Sequence, residues 1–177
     1  MLIVSKQIKV ILVCLLFEYT VLLNASEPPE KLKALIVGKV AKYVHWKKSD
    51  NKYFIITMLN EPFPQLFEKL YSNQKIKKRP VKINNITSIN QLQATDILYI
   101  PKVNILQLPE ILETVDNKNI LTVSDIRGFA QKGGMIQLSF VSQKIKLKVN
   151  TDVAREHNLH ITPTLLRIAD RVKGNNK

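Results

Sequence analysis

The chain has 177 residues, of which 45% are hydrophobic and 23% are charged. This length and balance are ordinary for one globular domain with a proper core, which excludes a low-complexity chain. Its 27 Lys and Arg residues outnumber its 14 Asp and Glu residues, so the formal net charge is +13. Such an excess favours an anionic partner, and it leaves nucleic acid, a membrane surface, an acidic polymer and an acidic protein face open.

The first 25 residues have the layout of a secretory signal peptide. A basic start precedes an apolar run over residues 10–17, and Ala25 offers a small residue for cleavage. Glu18 ends that run well short of the roughly 20 residues that a membrane-spanning helix needs. We therefore expect residues 1–25 to be removed on export. Removal takes away Cys14, the only cysteine, so we expect neither a disulfide nor a cysteine metal site in the mature chain.

The first half of the remaining chain alternates helical patterns with apolar runs. Apolar residues recur every three or four positions over residues 30–46, which predicts an amphipathic helix. The elements expected after it are a strand over 53–59, a helix over 64–71, a basic loop over 75–79, a strand over 81–86, a weak helix over 88–93 and a strand over 96–100.

The second half continues this alternation. Pro109 lies inside a helical pattern over residues 104–114, so the helix either begins near Pro109 or is kinked there. The elements expected next are a strand over 120–123, a β-hairpin of two runs over 135–141 and 144–149, and helices over 151–157 and 163–172.

The order of these elements predicts an α/β fold. We expect a single-domain sandwich with a largely parallel sheet flanked by helices, and a C-terminal β-hairpin followed by two helices. The domain is expected to occupy residues 28–173, ahead of a polar tail at residues 174–177.

The stretch between the last buried strand and the hairpin carries the candidate binding residues. It combines a polar turn with glycines around one aromatic side chain, and such a loop permits close backbone approach. The selected residues are Ser124, Asp125, Arg127, Phe129, Gly133 and Gly134. Ser124 and Asp125 follow a buried strand, where α/β folds place active sites, but they also suit a turn that satisfies its own backbone donors. Phe129 is either an exposed contact residue or a lid on the core, and the glycine pair also suits a tight entry into the hairpin.

The sequence patterns of catalysis, metal binding and nucleotide binding do not occur. His157 and His160 are three residues apart, but no carboxylate or cysteine stands at a ligand spacing from them. No phosphate-loop glycine motif occurs, and the basic run over residues 75–79 lacks the interleaved aromatic residues of nucleic-acid sites. A hydrolase built on Asp125 would lack a base and nucleophile pair. We therefore expect no metal, no cofactor, no nucleic acid and no enzymatic activity.

Several segments together resemble the YfiR family of small periplasmic proteins. They are KALIVGKVAKYVHW in the first helix, FIITML and DILYIP in two strands, ILTVSDIRGFAQKGGMIQL with KIKLKVN around the hairpin, and DVAREHNLHITPTLLRIA at the end. The order LTVSD, GF and GGMI is the most specific part, and the resemblance covers nearly the whole mature chain.

The resemblance implies an exported α/β domain that is often dimeric and has no catalytic activity. Its best-described member is a repressor that binds the periplasmic sensing domain of an inner-membrane diguanylate cyclase. That repressor restrains cyclic-di-GMP signalling and biofilm formation. Some relatives carry cysteine pairs whose oxidation tunes the repressor, and a chain whose only cysteine is Cys14 cannot share that switch.

We therefore expect a periplasmic regulatory protein that acts by binding. Its surface is expected to combine the loop residues above with Tyr43 and Trp46, because aromatic side chains dominate interface energetics. The alternative is a ligand-sensing module, in which the same loop closes over a small anionic or aromatic molecule and changes what the protein docks onto.

Overall fold

The computed structural model describes residues 28–46, 51–141 and 144–172. The α-helices within these residues are α1 (Pro29–Val40), α2 (Pro64–Tyr71), α3 (Leu108–Thr114), α4 (Thr151–Glu156) and α5 (Pro163–Ile168). The strands are β1 (Val44–His45), β2 (Phe54–Leu59), β3 (Lys75–Ile76), β4 (Arg79–Ile86), β5 (Ile97–Ile100), β6 (Leu121–Ser124), β7 (Ile136–Val141), β8 (Lys144–Asn150), β9 (His160–Ile161) and β10 (Asp170–Val172). The expected signal peptide at residues 1–25 and the tail at residues 174–177 lie outside the described residues.

Eight of these strands form one sheet in the order β10-β8-β7-β6-β5-β2-β4-β3. β2 pairs in parallel with β4 and β5, β6 pairs in parallel with β5 and β7, and β10 pairs in parallel with β8. The β7–β8 and β3–β4 hairpins are antiparallel. The predicted α/β fold, with its largely parallel sheet and C-terminal hairpin, is confirmed.

Helices cover both faces of the sheet, and each face has its own hydrophobic core. α1 and α2 pack on the first face, where the buried side chains include Val37, Phe67 and Tyr99. α3 and the connection after β6 pack on the second face, where Ile111 and Phe129 are buried. In β5, Ile97 and Tyr99 belong to the first core and Leu98 and Ile100 to the second, because successive side chains of a strand point to opposite faces.

A buried hydrogen-bonded group ties α2 to α1. The hydroxyl of Tyr71 donates to the carbonyl of Ala34 (2.8 Å) and accepts from the N–H of Gly38 (3.0 Å). Burial raises the pKa of Tyr71 to about 12, and the Gly38 N–H acts in the opposite direction. The hydroxyl therefore stays neutral and holds α1, which carries Lys33, against α2.

Two helices are shorter than predicted because strand pairing takes over their ends. The α-helix predicted over residues 30–46 ends at Val40, and a 3-10 turn over Ala41–Tyr43 then leads into β1, which pairs with β9. The helix predicted over residues 163–172 ends at Ile168 and continues into β10, which pairs with β8. Both predictions are wrong for one reason: the pairing strands are invisible to local periodicity.

Two shorter segments also differ from the predictions, and a third decides between two alternatives. The basic loop predicted over residues 75–79 is the β3–β4 hairpin, and Lys77 and Lys78 form its turn with φ of 51° and 66°. The weak helix predicted over residues 88–93 is a single 3-10 turn. A 3-10 helix, Lys102–Gln107, precedes α3. α3 then begins one residue before Pro109, so the alternative in which the helix begins near Pro109 is confirmed.

The parallel strands give the sheet a carboxyl end and an amino end. β2, β5 and β6 finish at the carboxyl end, where they are followed by Asn60, Pro101 and Asp125. They begin at the amino end, which carries Tyr53 and Asp96. The chain leaves β2 over the first face through α2 and leaves β5 over the second face through α3. The carboxyl end between β2 and β5 is therefore a topological switch point, where open α/β sheets place their sites.

Candidate functional site

Asp125 ties three parts of the chain together at the carboxyl end. Its carboxylate accepts a hydrogen bond from the backbone N–H of Lys102 (2.8 Å) and lies 2.8 Å from the Nζ of Lys33 in α1. The Asp125 side chain is 7% exposed and that of Lys33 is 19% exposed, so water screens this pair less than a surface pair. The carboxylate thus holds the loops after β5 and β6 and the helix α1 in one arrangement, instead of satisfying donors of its own turn.

Glu30 and Glu61 extend this contact into an acidic group around Lys33. Glu61 follows β2, and its carboxylate accepts a hydrogen bond from the N–H of Phe63 (3.1 Å). Burial raises the pKa of Glu61, and the charges of Asp125 and Glu30 act in the same direction. The Phe63 N–H and the Lys33 ammonium oppose that rise. Within this group, one lysine thus faces three carboxylates.

The hydroxyl of Tyr99 lies beneath the same group. Tyr99 is 1% exposed, and its hydroxyl has no hydrogen-bond partner among the described residues. Burial raises the pKa of Tyr99, and Asp125, Glu61 and Glu30 raise it further. The phenol is therefore neutral. The group consists of a lysine, three carboxylates and this phenol, and none of them is a nucleophile with an adjacent base to activate it.

Replacing Glu61 by glutamine is expected to raise the melting temperature near neutral pH. A raised pKa means that the folded state holds the proton more tightly than the unfolded state, so ionised Glu61 costs stability above its folded pKa. That cost begins to fall as the pH drops through the folded pKa and is gone below the unfolded pKa, whereas glutamine keeps an oxygen for the Phe63 N–H and never ionises. Thermal unfolding from about pH 7 to about pH 4 measures the difference, which should shrink with acidification. A difference that stays constant over this range would contradict the assignment.

Ser124 and Phe129 offer no surface to a partner, because both side chains are buried. The Oγ of Ser124 donates to the carbonyl of Ile100 (2.6 Å) and accepts from the N–H of Ile126 (3.0 Å). Phe129 is 0% exposed and packs in the second core. The interpretation of Phe129 as a lid on the core is confirmed and its exposed interpretation is wrong, because the loop turns back over the second face of the sheet.

The glycine pair serves the packing of this loop. A Cβ at Gly134 would lie 2.1 Å from the ring of Phe129, so only glycine fits there. The Gly134 N–H donates to the carbonyl of Phe129 (2.9 Å), which closes the loop around the ring. Gly133 has φ of +99°, a conformation that side chains rarely adopt. Both glycines thus shape the entry into the hairpin.

Arg127 is exposed, and the loop that carries it contacts a segment with exposed apolar side chains. The contact between Asp125 and the Lys102 N–H places the 3-10 helix Lys102–Gln107 beside the loop. The apolar side chains of this 3-10 helix are unusually exposed: Val103 is 61%, Ile105 is 47% and Leu106 is 92% exposed. Sequence analysis missed this surface because it assigned the segment to a helix with an inward face.

Asn104 fixes the exposed segment. Its side-chain amide donates to the carbonyl of Leu59 (2.7 Å), and its side-chain oxygen accepts from the amide of Asn60 (3.2 Å). Asn104 is buried while its neighbours Val103 and Ile105 point outward. Asn60 follows β2 and Asn104 follows β5 within a few residues, and this pattern in the sequence could have indicated the contact between them.

Tyr43 and Trp46 lie at the other end of the molecule. The indole Nε1 of Trp46 donates to the carbonyl of Asp96 (3.3 Å), and its ring meets the Phe54 ring edge to face at 5.4 Å between centroids. Tyr43 packs against the first core. Because Asp96 precedes β5 and Asp125 follows β6, the aromatic pair stands at the amino end, and the eight predicted residues do not form one site.

The histidines take part in structural contacts. The Nδ1 of His157 lies 3.0 Å from the carbonyl of Lys118, and the His160 ring lies 6.2 Å from the ring of His45 across the β1–β9 pair. No cluster of three or more His, Cys, Asp or Glu side chains suited to a metal ion occurs in the part of the chain that the structure describes. Within the same ranges, no helix is both long and apolar enough to cross a membrane.

These features define a small α/β domain whose buried polar side chains hold its loops in place. A family model described as YfiR/HmsC-like matches residues 30–170, so the chain belongs to the YfiR/HmsC-like family, as its sequence motifs indicated. The family is regulatory and non-catalytic, and its members are periplasmic proteins that act on diguanylate cyclase signalling through a membrane sensor domain. No curated protein matches the chain.

Proposed function

We propose that this protein is a periplasmic repressor that binds the sensing domain of an inner-membrane diguanylate cyclase and keeps the cyclase inactive. The match to the YfiR/HmsC-like family over residues 30–170 carries this proposal. Binding in this way would restrain cyclic-di-GMP signalling and biofilm formation. Export through a cleaved signal peptide at residues 1–25 and assembly as a homodimer belong to the same proposal.

The carboxyl end of the sheet is the docking surface that we propose. Val103, Ile105 and Leu106 form an exposed apolar row, and contiguous exposed apolar surface marks interaction sites. Arg127, which follows Asp125 in the adjoining loop, supplies an exposed guanidinium of the kind that is enriched in interface hot spots. The contacts of Asp125 and the buried Asn104 hold this surface in one shape before the partner arrives, which lowers the entropy cost of binding.

Regulation would be non-covalent. The chain has one cysteine, Cys14, and cleavage after residue 25 would leave the mature protein with none. A thiol–disulfide switch within the mature chain is therefore excluded by composition. We propose that release of the cyclase comes from competition for the docking surface or from a change in its shape.

Capture from a membrane extract tests the proposed function. The exported, tagged protein is expected to recover a membrane protein that has a periplasmic sensing domain and a cytoplasmic cyclase domain. The wash is made at low and at moderate salt, and loss of the partner in salt would assign charged residues a part in docking. Failure to recover such a protein at either salt concentration would contradict the repressor function.

Replacing Leu106 by aspartate is expected to weaken binding to the sensing domain about tenfold or more. The side chain is 92% exposed in the free protein, and a charge buried there on docking would have no partner. Ile168→Asp is the matched control, because Ile168 is 69% exposed at the end of α5, next to the edge strand β10, which lies three strands away from β6. Titration of the purified sensing domain measures both affinities. Equal affinities of the two variants would place docking on another surface.

A cleft at the amino end favours small-ligand sensing as a second candidate function. The cleft has a volume of about 480 Å³, and Trp46, Asn51, Lys118 and Asn119 are among its lining residues. An aromatic ring, an ammonium group and amides suit a small anionic or aromatic molecule. Such a ligand would raise the melting temperature of the protein by an amount that grows with the logarithm of its concentration above its dissociation constant, and Trp46→Ala would remove the shift. A shift that survives Trp46→Ala would assign the ligand to another site.

A further inference from the structure

The amino end of the sheet gathers exposed lysines from distant parts of the chain. The Nζ of Lys77 donates to the carbonyl of Lys42 (3.3 Å), which joins the β3–β4 hairpin to the end of α1. The Nζ of Lys52 lies 5.5 Å from the centre of the Tyr53 ring, and Lys118 lines the same cleft as Trp46. We call this group the basic end; its exposed lysines are Lys42, Lys52, Lys77, Lys78 and Lys118.

Within the described ranges, carboxylates compensate little of this charge. The side chain of Asp96 is 5% exposed and is paired with Arg79, so it is withdrawn from the surface. Asp116 is exposed, but its carboxylate lies 3.5 Å from the Nε2 of His157. Among the described residues, no ion pair involves any lysine of the basic end. Part of the net charge of +13 is therefore concentrated here and remains open to solvent.

The types of side chain at the basic end suit a diffuse negative surface. A forked guanidinium recognises a discrete carboxylate in a fixed geometry, but Arg79 is engaged by Asp96 and by the carbonyl of Tyr53 (3.0 Å). The exposed cations are instead lysines, which are point charges on flexible stems. Tyr53 is 41% exposed and Trp46 is half-buried between them, and Trp and Tyr are the side chains enriched at membrane–water interfaces.

We propose that the basic end is a contact surface for the anionic headgroups of a phospholipid membrane. Lysines near such a surface each add to the attraction, and the aromatic rings settle among the headgroups. The basic end and the carboxyl end lie at opposite ends of the parallel strands. A molecule held on the membrane by the basic end would therefore keep the apolar row of Val103, Ile105 and Leu106 free for a protein partner. This inference goes beyond the proposed function and does not depend on it.

Vesicle binding by the exported, processed protein tests the proposal. The vesicles contain phosphatidylcholine alone or with about one third phosphatidylglycerol. Sedimentation is expected with the anionic vesicles only, and it is expected to disappear at about 0.5 M salt, where the Debye length is only a few Å. Trp46 is the single tryptophan, so its emission reports contact at this end directly and is expected to shift to shorter wavelength.

Charge-reversed variants locate the contact. Lys42→Glu, Lys52→Glu and Lys118→Glu together are expected to lower the partition coefficient about a hundredfold or more. A control with Lys132→Glu, Lys144→Glu and Lys146→Glu makes the same change in net charge on other exposed positions and is expected to retain most of the binding. All six positions are exposed, so the fold should tolerate both sets.

Three outcomes would overturn the proposal. The first is equal binding of wild-type protein to neutral and anionic vesicles, and the second is equal loss in the two variants. The third is a basic-end variant that binds vesicles normally but loses the isolated sensing domain, which would make this surface a docking site for an acidic protein face. A failure of the cyclase capture experiment leaves the vesicle result unaffected, so the two proposals fail separately.

Discussion

Replacing Gly134 by alanine is expected to lower the free energy of unfolding by about 3 kcal/mol. A Cβ at this position would lie 2.1 Å from the Cε1 atom of Phe129, a distance that no native contact shows. Phe129 is 0% exposed, so its ring has no solvent-filled space into which it could turn. The loop backbone is held as well, because the Gly134 N–H donates to the Phe129 carbonyl. Denaturation in urea measures the loss.

Two further variants separate crowding from backbone strain. Gly128 has φ of +80°, but the nearest atom to a Cβ there would be the Cε of Lys132 at 3.8 Å. Gly128→Ala is therefore expected to cost only about 1–2 kcal/mol, which is the cost of a left-handed alanine. In a Gly134→Ala protein, Phe129→Leu removes the obstructing ring and is expected to restore part of the stability. The crowding argument would fail if this second substitution restored nothing.

Local sequence patterns correctly predicted the elements whose ends are marked by residues in the sequence itself. The helix predicted over residues 64–71 is confirmed as α2, because Pro64 suits the first turn and Phe67 lies on a clear apolar side. The β7–β8 hairpin is confirmed for a similar reason, since two alternating runs were separated by two residues. Val44 looked like the continuation of a helical stripe, but it is β-branched and its pairing partner, Ile161, lies far along the chain.

The location of the candidate site in the fold could be predicted from the sequence, but the contacts between its residues could not. The polar turn at the end of β6 does lie at a switch point of the sheet, as the position of Asp125 after a buried strand indicated. No local signal showed that Asp125 would meet Lys33 and the N–H of Lys102, because both come from other elements. An aromatic residue among glycines looks exposed in a sequence, whereas Phe129 fills the space that Gly134 leaves beside the second core.

Replacing Asp96 by alanine is expected to lower the free energy of unfolding by about 3–5 kcal/mol. The carboxylate accepts from the N–H of Ile55 (2.8 Å) and pairs with Arg79, and its side chain is 5% exposed. Without it, the Ile55 N–H and the Arg79 guanidinium each lose an acceptor where little water reaches them. Arg79 keeps the carbonyl of Tyr53 (3.0 Å) and the Phe54 ring (5.0 Å), which limits the loss. Urea denaturation measures the change.

Two more variants distinguish the lost charge from the lost hydrogen bond. Asp96→Asn keeps an oxygen for the Ile55 N–H but leaves Arg79 without its counter-charge, so we expect an intermediate loss. Adding Arg79→Met removes the charge that would be stranded, and this double variant is expected to be more stable than Asp96→Ala. If it is less stable, the guanidinium contributes more through Tyr53 and the Phe54 ring than through Asp96. Arg79 would then fix the start of β2 at the basic end by packing, and the ion pair would be secondary.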